Sequence, residues 1–273
     1  MKKMIEVEEL KKIQIDLLNV LDDYCNRNGL TYYLTYGTLI GAVRHKGYIP
    51  WDDDIDVMMP RTDYENFIAG FNSSGHASNI KVFSHETDPD YYLAFAKLIN
   101  TATVMQEEVN SNYQIGVYID IFPLDNLSDD YEIAKKRMRK AFRYNELMLF
   151  KNLTLSKERA WYKNAVLKVG RIVSSFWSRN GLIKKLNNFN IYKKNGGFTK
   201  YVGSVVGITV GDESRVFESK WFQSTVTVEF EDHEFIAPAG YDAFLRKLYG
   251  DYMKLPPPEE QISHHEFKAW YNE

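Results

Sequence analysis

An α/β domain with a mixed (α+β) sheet, carrying a mainly helical insertion, is the fold class the sequence predicts, and three observations lead there. Over residues 1–128, short runs rich in β-branched and aromatic residues alternate with segments of helical periodicity. Residues 129–195 then read largely as helix. After Gly196-Gly197, residues 201–236 alternate and turn as strands do. That order describes a core at 1–128, an insertion at 129–200 and a part at 201–273 that completes the same domain as the first.

Each element has its own signal. Residues 5–28 place Ile5, Leu10, Ile13, Leu17, Leu21 and Tyr24 on one helical face, and Asn28-Gly29 supplies the stop. Leu30–Tyr36, β-branched and aromatic, predicts a strand that ends at Gly37-Thr38, where Leu39–Arg44 starts a short helix. The turn-rich Gly47–Trp51 leads into Asp52–Met59, whose later half is a strand. Asp63–Phe71 is helical, with Tyr64, Phe67, Ile68 and Phe71 on one face. Ser78–Glu108 predicts two strands, and Val117–Phe122 another, closed by Pro123. Thr225–Phe230 is the clearest strand of the C-terminal part, and Tyr241–Leu248 a helix before the Pro256–Pro258 break.

Composition narrows the class. With 273 residues, 44% hydrophobic and 26% charged, the chain is an ordinary globular protein able to bury about three quarters of its unfolded surface. A single cysteine, Cys25, excludes an intrachain disulfide framework and any Cys-rich zinc site. The N-terminus lacks the apolar core of a signal peptide, and no run of 18 apolar residues occurs, so the expectation is a cytoplasmic protein. Its net charge of −3 conceals an uneven distribution. Residues 131–200 hold 18 Lys and Arg against three acids, a balance of +15, which leaves −18 on the rest.

The strongest chemical signal is Gly37-Thr38 followed by Asp52, Asp53, Asp54 and Asp56. Four carboxylates in five residues repel one another unless a cation or protons neutralise them. Strand alternation puts Asp54 and Asp56 on one face, and Asp120 stands alone between Ile119 and Ile121 in an apolar strand. Two or three such oxygens suit a magnesium ion shared with phosphate, and a small-residue turn lets backbone amides approach that phosphate. A solvated acidic turn is the bland alternative, disfavoured by the embedded Asp120. Arg44 and Lys97 read as phosphate-neutralising, Lys46 equally as a surface residue, and His45 as a solvated loop residue.

The stretch Tyr36-Gly-Thr-Leu-Ile-Gly-Ala-Val-Arg-His-Lys-Gly-Tyr-Ile-Pro-Trp-Asp-Asp-Asp-Ile-Asp-Val57 closely resembles the LicD family, bacterial phosphocholine transferases of cell-surface glycan synthesis related to animal fukutins. The resemblance continues through Tyr118–Asp125 and Tyr241–Pro257. It implies a nucleotidyltransferase-like core with a C-terminal segment closing over the site. Gly37 and Thr38 match the phosphate-side turn, Asp54 and Asp56 the paired metal ligands, and Asp120 the third carboxylate, as ligand or general base. Arg44, Asp52, Lys97, Tyr249, Gly250, Asp251 and the His264-His265 pair also fall on motif positions. Gln261 departs from the basic residue expected there.

What the resemblance implies chemically is transfer of a phospho-alcohol, phosphocholine from CDP-choline first among them, to a hydroxyl of a lipopolysaccharide, teichoic acid or capsule precursor. Mg²⁺, or Mn²⁺ in its place, serves as cofactor, and CMP is released. Other CDP-polyols (ribitol, glycerol), a nucleotidyltransferase releasing pyrophosphate, and a non-catalytic glycan- or nucleotide-binding module remain as alternatives. Choline would need an aromatic cage, and Trp51, Tyr91, Tyr92, Tyr118 and Tyr252 lie near the motifs, though such residues commonly pack in cores.

In the insertion, Trp161, Ala165, Val169, Ile172, Val173, Phe176 and Trp177 recur at helical steps among Lys163, Lys168, Arg171 and Arg179. This pattern fits peripheral contact with an anionic membrane through residues 131–200, at its inner face, or else a helix packed on the core. A pI near 6.1 and the Asp cluster argue against nucleic acid as a partner.

Overall fold

Helix α1 (Val7–Asn28) opens the core of the computed structural model, which describes residues 3–106, 115–153, 160–191, 197–207, 215–262 and 268–272. Leu10, Ile13, Leu17, Leu18, Leu21 and Tyr24 form its buried face, and Gly29 ends it in the left-handed region at φ 64°, donating its amide to Cys25. Before it comes β1 (Met4–Ile5), so Ile5 belongs to a strand and not to the helix expected from residue 5. The chain then runs through β2 (Tyr33–Leu34), α2 (Tyr36–His45), β3 (Asp56–Pro60), α3 (Arg61–Phe71), β4 (Ile80–Phe83), β5 (Ala96–Asn100), β6 (Thr103–Gln106) and β7 (Tyr118–Ser128). Helices α4 (Tyr131–Asn152), α5 (Trp161–Ser174) and α6 (Arg179–Asn187) follow. The chain continues with β8 (Tyr201–Gly203), β9 (Phe217–Glu218), β10 (Thr225–Phe230), β11 (His233–Pro238), α7 (Tyr241–Tyr249) and β12 (Lys268–Tyr271).

The α/β class with a mixed sheet holds. The main sheet has the order β2-β3-β7-β5-β4, with β8 pairing β7 and β9 pairing β8; β3 and β7 are parallel and the other pairs antiparallel. A second sheet, β1-β12-β6, ties both ends of the chain together, and β10-β11 is a separate hairpin.

Three strand expectations need correction. The strand expected over Leu30–Tyr36 shrinks to two residues, because Tyr36 takes φ 48° and turns the chain directly into α2. Ser78–Glu108 holds three strands instead of two. Finally, β7 runs through Pro123 to Ser128. The amide of Asp120 points to Ile55 and hence toward β3, so position 123 points the other way. There β5 has ended opposite Ile121 and β8 begins opposite Asp125, so no neighbour asks Pro123 for a donor.

Alternation along β7 separates two cores. Ile119 and Ile121 join the large core with α1 and α3, whereas Phe122 joins a second core built by α4 and α6. In that second core Ala134, Met138, Ala141, Leu182, Ile183 and Leu186 pack with Leu127, Val205 and Val206. Asn145, buried within α4, donates to the carbonyls of Ala141 and Val205 and fastens the helix to the segment after β8. Arg61, at the start of α3, pairs with Asp125 of β7 at 2.7 Å, both side chains sealed from water.

Candidate active site

Strand register assembles the charged row. Asp56 on β3 lies beside Asp120 on β7, and Lys97 on β5 lies beside Asp120 from the other side. Lys97 Nζ donates to Asp120 Oδ1 at 2.7 Å and stands 3.1 Å from the centre of the Tyr118 ring. The Lys97 side chain is 3% exposed and that of Asp120 18%, so the carboxylate keeps a face on solvent while its partner does not.

The acidic loop before β3 is fixed from four directions. Thr38 Oγ1 accepts the Asp56 amide at 2.8 Å, and the Thr35 amide donates to the Asp56 carbonyl at 3.1 Å. A Cβ on Gly37 would lie 2.7 Å from Asp52 Oδ2, so only glycine leaves room for that carboxylate against the first turn of α2. Gln14, buried on the apolar face of α1, donates to the carbonyls of Asp53 (3.0 Å) and Tyr118 (3.3 Å) and accepts from the Tyr48 hydroxyl at 2.9 Å. Glu231, at the positive-φ tip of the β10-β11 hairpin, accepts the Tyr48 amide at 3.0 Å and donates its own amide to Lys46. With the loop so held, Ile55 and Val57 are buried and Asp54 and Asp56 face the other way.

They face a cleft of about 510 Å³. Asp54, Asp56 and Asp120 line it together with Arg215, Tyr249 and the aromatic rings of Tyr36, Phe95 and Phe122. The end of α4 contributes Asn145, Met148, Leu149 and Asn152, and Leu153 follows. Phe122 packs on Phe95 at 4.6 Å and edge-on to Tyr36 at 5.5 Å, and the Arg215 guanidinium lies 5.5 Å from the Tyr36 ring. A tyrosine at φ 48° is strained backbone placed at the cleft wall. Burial, and then the charges of Asp54, Asp120 and Asp52, hold the Asp56 carboxyl well above the carboxylate range, with Lys97 acting in the opposite direction.

A divalent cation would relieve that repulsion, and two alternating carboxylates offer the all-oxygen donors Mg²⁺ takes while leaving positions for water and phosphate. Asp120, expected as a third ligand, is engaged by Lys97. Among the described residues no three His, Cys, Asp or Glu side chains gather closely enough to form a metal cage by themselves. The donor set fits a cation held by Asp54 and Asp56.

Of the other expected residues, Tyr249 lines the cleft, and the remaining described ones fall outside its lining. Gly37 lies against the Asp52 carboxylate, and Thr38 accepts the Asp56 amide, so both hold the acidic loop beside the cleft. Arg44 donates to His45 Nε2 (2.8 Å) and to the Tyr252 carbonyl (2.6 Å), joining α2 to the loop after α7. Lys46 is an exposed left-handed cap of α2. Lys97 reaches the site through Asp120. His264 and His265 lie outside the described residues, and Gln261 donates to the Pro256 carbonyl at 2.9 Å. Of the aromatics expected near choline, Tyr91 and Tyr92 are core residues, and Tyr252 is buried with its hydroxyl on Asp242. The C-terminal part reaches the cleft through Gly207, Arg215 and Tyr249.

Arg215, Phe95, Asn145 and Gln14 were missed by sequence reasoning. Gln14 alone carried a signal, as a polar residue on the apolar face of α1.

Sequence comparisons place the chain in a known family. The LicD/FKTN/FKRP nucleotidyltransferase domain matches residues 29–155, from the end of α1 to just beyond α4. Over 268 residues the chain is 31% identical to the lipopolysaccharide cholinephosphotransferase LicD of Haemophilus influenzae, covering 96% of this chain and 97% of that protein. An uncharacterized protein of Rickettsia typhi is 35% identical over 151 residues, 47% of this chain and 49% of its own length.

Proposed function

The chain belongs to the LicD family, and from that premise we propose that it transfers phosphocholine from CDP-choline to a hydroxyl of a lipopolysaccharide or related cell-surface glycan precursor, releasing CMP. The observation that carries the reading is one cleft holding three carboxylates, a guanidinium and an aromatic wall. Each group matches a part of such a substrate. Tyr36, Phe95 and Phe122 offer π-faces to a quaternary ammonium, Arg215 offers a fork for phosphate oxygens, and Asp120 accepts a proton.

In the reaction the acceptor oxygen forms a bond to the choline-bearing phosphorus as the bond from that phosphorus to the diphosphate bridging oxygen breaks. CMP departs with the bridging electrons, and the hydroxyl proton goes to Asp120. Asp54 and Asp56 would hold Mg²⁺, which supplies positive charge at the diphosphate when bound. Lys97 fixes the Asp120 carboxylate through Oδ1 at the cleft, from which the acceptor's proton would come. Arg215 neutralises charge on the phosphoryl oxygens. Because phosphoryl transfer has a loose transition state, this positioning and charge stabilisation carry most of the acceleration.

The test is release of CMP from CDP-choline, CDP-ribitol and CDP-glycerol in the presence of Mg²⁺ and a glycan acceptor. CDP-choline should be consumed fastest, and Asp54→Ala should lower CMP release by at least about 10³-fold with an unchanged circular dichroism spectrum. Near-wild-type turnover in that variant, or pyrophosphate as the nucleotide-derived product, would overturn the assignment.

A further inference from the structure

Helix α5 touches the protein along a narrow stripe. Only Leu167, Gly170 and Ser174 are buried, and a Cβ on Gly170 would run into the Phe150 ring of α4, so the helix is held close but thinly. The rest of its apolar surface faces outward: Trp161 is 82% exposed, Val169 61% and Ile172 67%, and Phe176 just beyond the helix is 81% exposed. At 100° per residue these side chains, with Val166 and Val173, span an arc of about 140° pointing away from the stripe. Monomeric soluble proteins rarely leave so continuous an apolar face in water.

Positive charge is exposed on the same group of helices. Lys163 and Lys168 are exposed on α5, as are Lys184 and Lys185 on α6. Where α4, α5 and α6 meet, Lys151, Arg171, Arg179, Ser174 and Ser175 line a pocket of about 330 Å³. Burial, and then the neighbouring Arg179 charge, push the Lys151 ammonium below its ordinary value, a repulsion that an anion in the pocket would relieve. Arg171 joins the pocket to the active cleft: it donates to the carbonyls of Phe150 and Leu153, and Leu153 lines the cleft.

We propose that α5 and this basic pocket form a docking face for an anionic phospholipid bilayer, holding the Leu149–Leu153 side of the cleft against the lipid surface. Apolar side chains enter the acyl boundary, with Trp161 at headgroup depth, and the flanking Lys and Arg meet lipid phosphates. Charge complementarity selects this occupant over a second copy of the chain, since two-fold pairing through the insertion would oppose two like-charged segments, each with a sequence balance of +15 over residues 131–200. Among the described residues no helix is long and apolar enough to cross a membrane, so the contact is peripheral.

Flotation with phosphatidylcholine vesicles, with and without phosphatidylglycerol, tests this at low salt. The protein should float with the anionic vesicles and release as salt is raised. The combined Trp161→Ser, Ile172→Ser and Phe176→Ser variant should lose at least about tenfold in partitioning while keeping its melting temperature. Lys163→Glu with Lys168→Glu should weaken binding to anionic vesicles alone. No flotation at low salt, equal flotation on neutral vesicles, or a dimer that the triple variant converts to monomer would overturn the proposal. Lipid contact is read here without any turnover, so its failure and a failure of the phosphocholine reading are separate results.

Discussion

Lys97–Asp120 and Arg61–Asp125 are two ion pairs on the same strand, each at 2.7 Å, with opposite surroundings. Asp125 is wholly sealed, and burial raises its carboxyl even against the pull of Arg61. Asp120 opens onto the cleft. Equal geometry therefore serves different ends. The sealed pair bolts the start of α3 to β7, and solvent reaches neither charge. The open pair can present its acid to a substrate while its buried cation keeps that acid in place. Access to water, not distance, separates structure from chemistry along β7.

Exchanging the charge of each acid for an amide should break the comparison most sharply. Asp125→Asn leaves Arg61 uncompensated in a dry interior and should lower stability by about 3–5 kcal/mol in urea titration, with turnover per folded molecule unchanged. Asp120→Asn still offers Lys97 an acceptor beside a wet cleft, so its melting temperature should fall less. Its CMP release should drop at least about 10³-fold. A reversed pattern would show that the roles of the two acids have been exchanged.

Lys97→Met sharpens the same contrast from the cationic side. It frees Asp120 from its anchor and should reduce kcat about 10²-fold with little change in the KM for the donor, as expected when a base loses its orientation. Gln14→Ala comes next. It strips a donor from the Asp53 and Tyr118 carbonyls, and an unsatisfied buried group costs about 1–3 kcal/mol, measurable in urea with a smaller fall in kcat.

The smallest effect concerns pH. Burial, and then the Arg44 charge, hold His45 below its ordinary value of 6.5, and Nε2 must stay unprotonated to accept from Arg44. The unfolded chain therefore binds more protons than the folded one below 6.5, so this contribution is complete above that pH and lost as pH falls through the depressed folded value. Thermal melts between pH 7.5 and 5 (about the span of histidine titration) should show His45→Gln losing less stability than the wild type on acidification.

What was legible in the sequence was chemistry written against its background. Asp54, Asp56 and Asp120 stand out because carboxylates interrupt an apolar alternation, and their meeting in one cleft follows from strand geometry. What lies above a glycine is not written locally. Gly37 beside Thr38 reads as room for phosphate, and that Asp52 lies against Gly37 became visible only in the fold. Arg215 could not be found because its value comes from lying near Tyr36, remote in sequence. Tyr91 and Tyr92 show the converse, since proximity to a motif in sequence left them in the core and outside the cleft. The apolar steps of α5 were visible, but only burial could say which way they point.

The sheet β1-β12-β6 sets Met4 beside Trp270. During synthesis Met4–Ile5 and β6 both emerge well before β12, the strand that lies between them. Two backbone edges thus stay unmated until β12 arrives, an interval in which such edges invite wrong partners. A protease that removes Lys268–Tyr271 would accordingly release Met4–Ile5 as well: one strand fastens two segments that lie far apart in the chain.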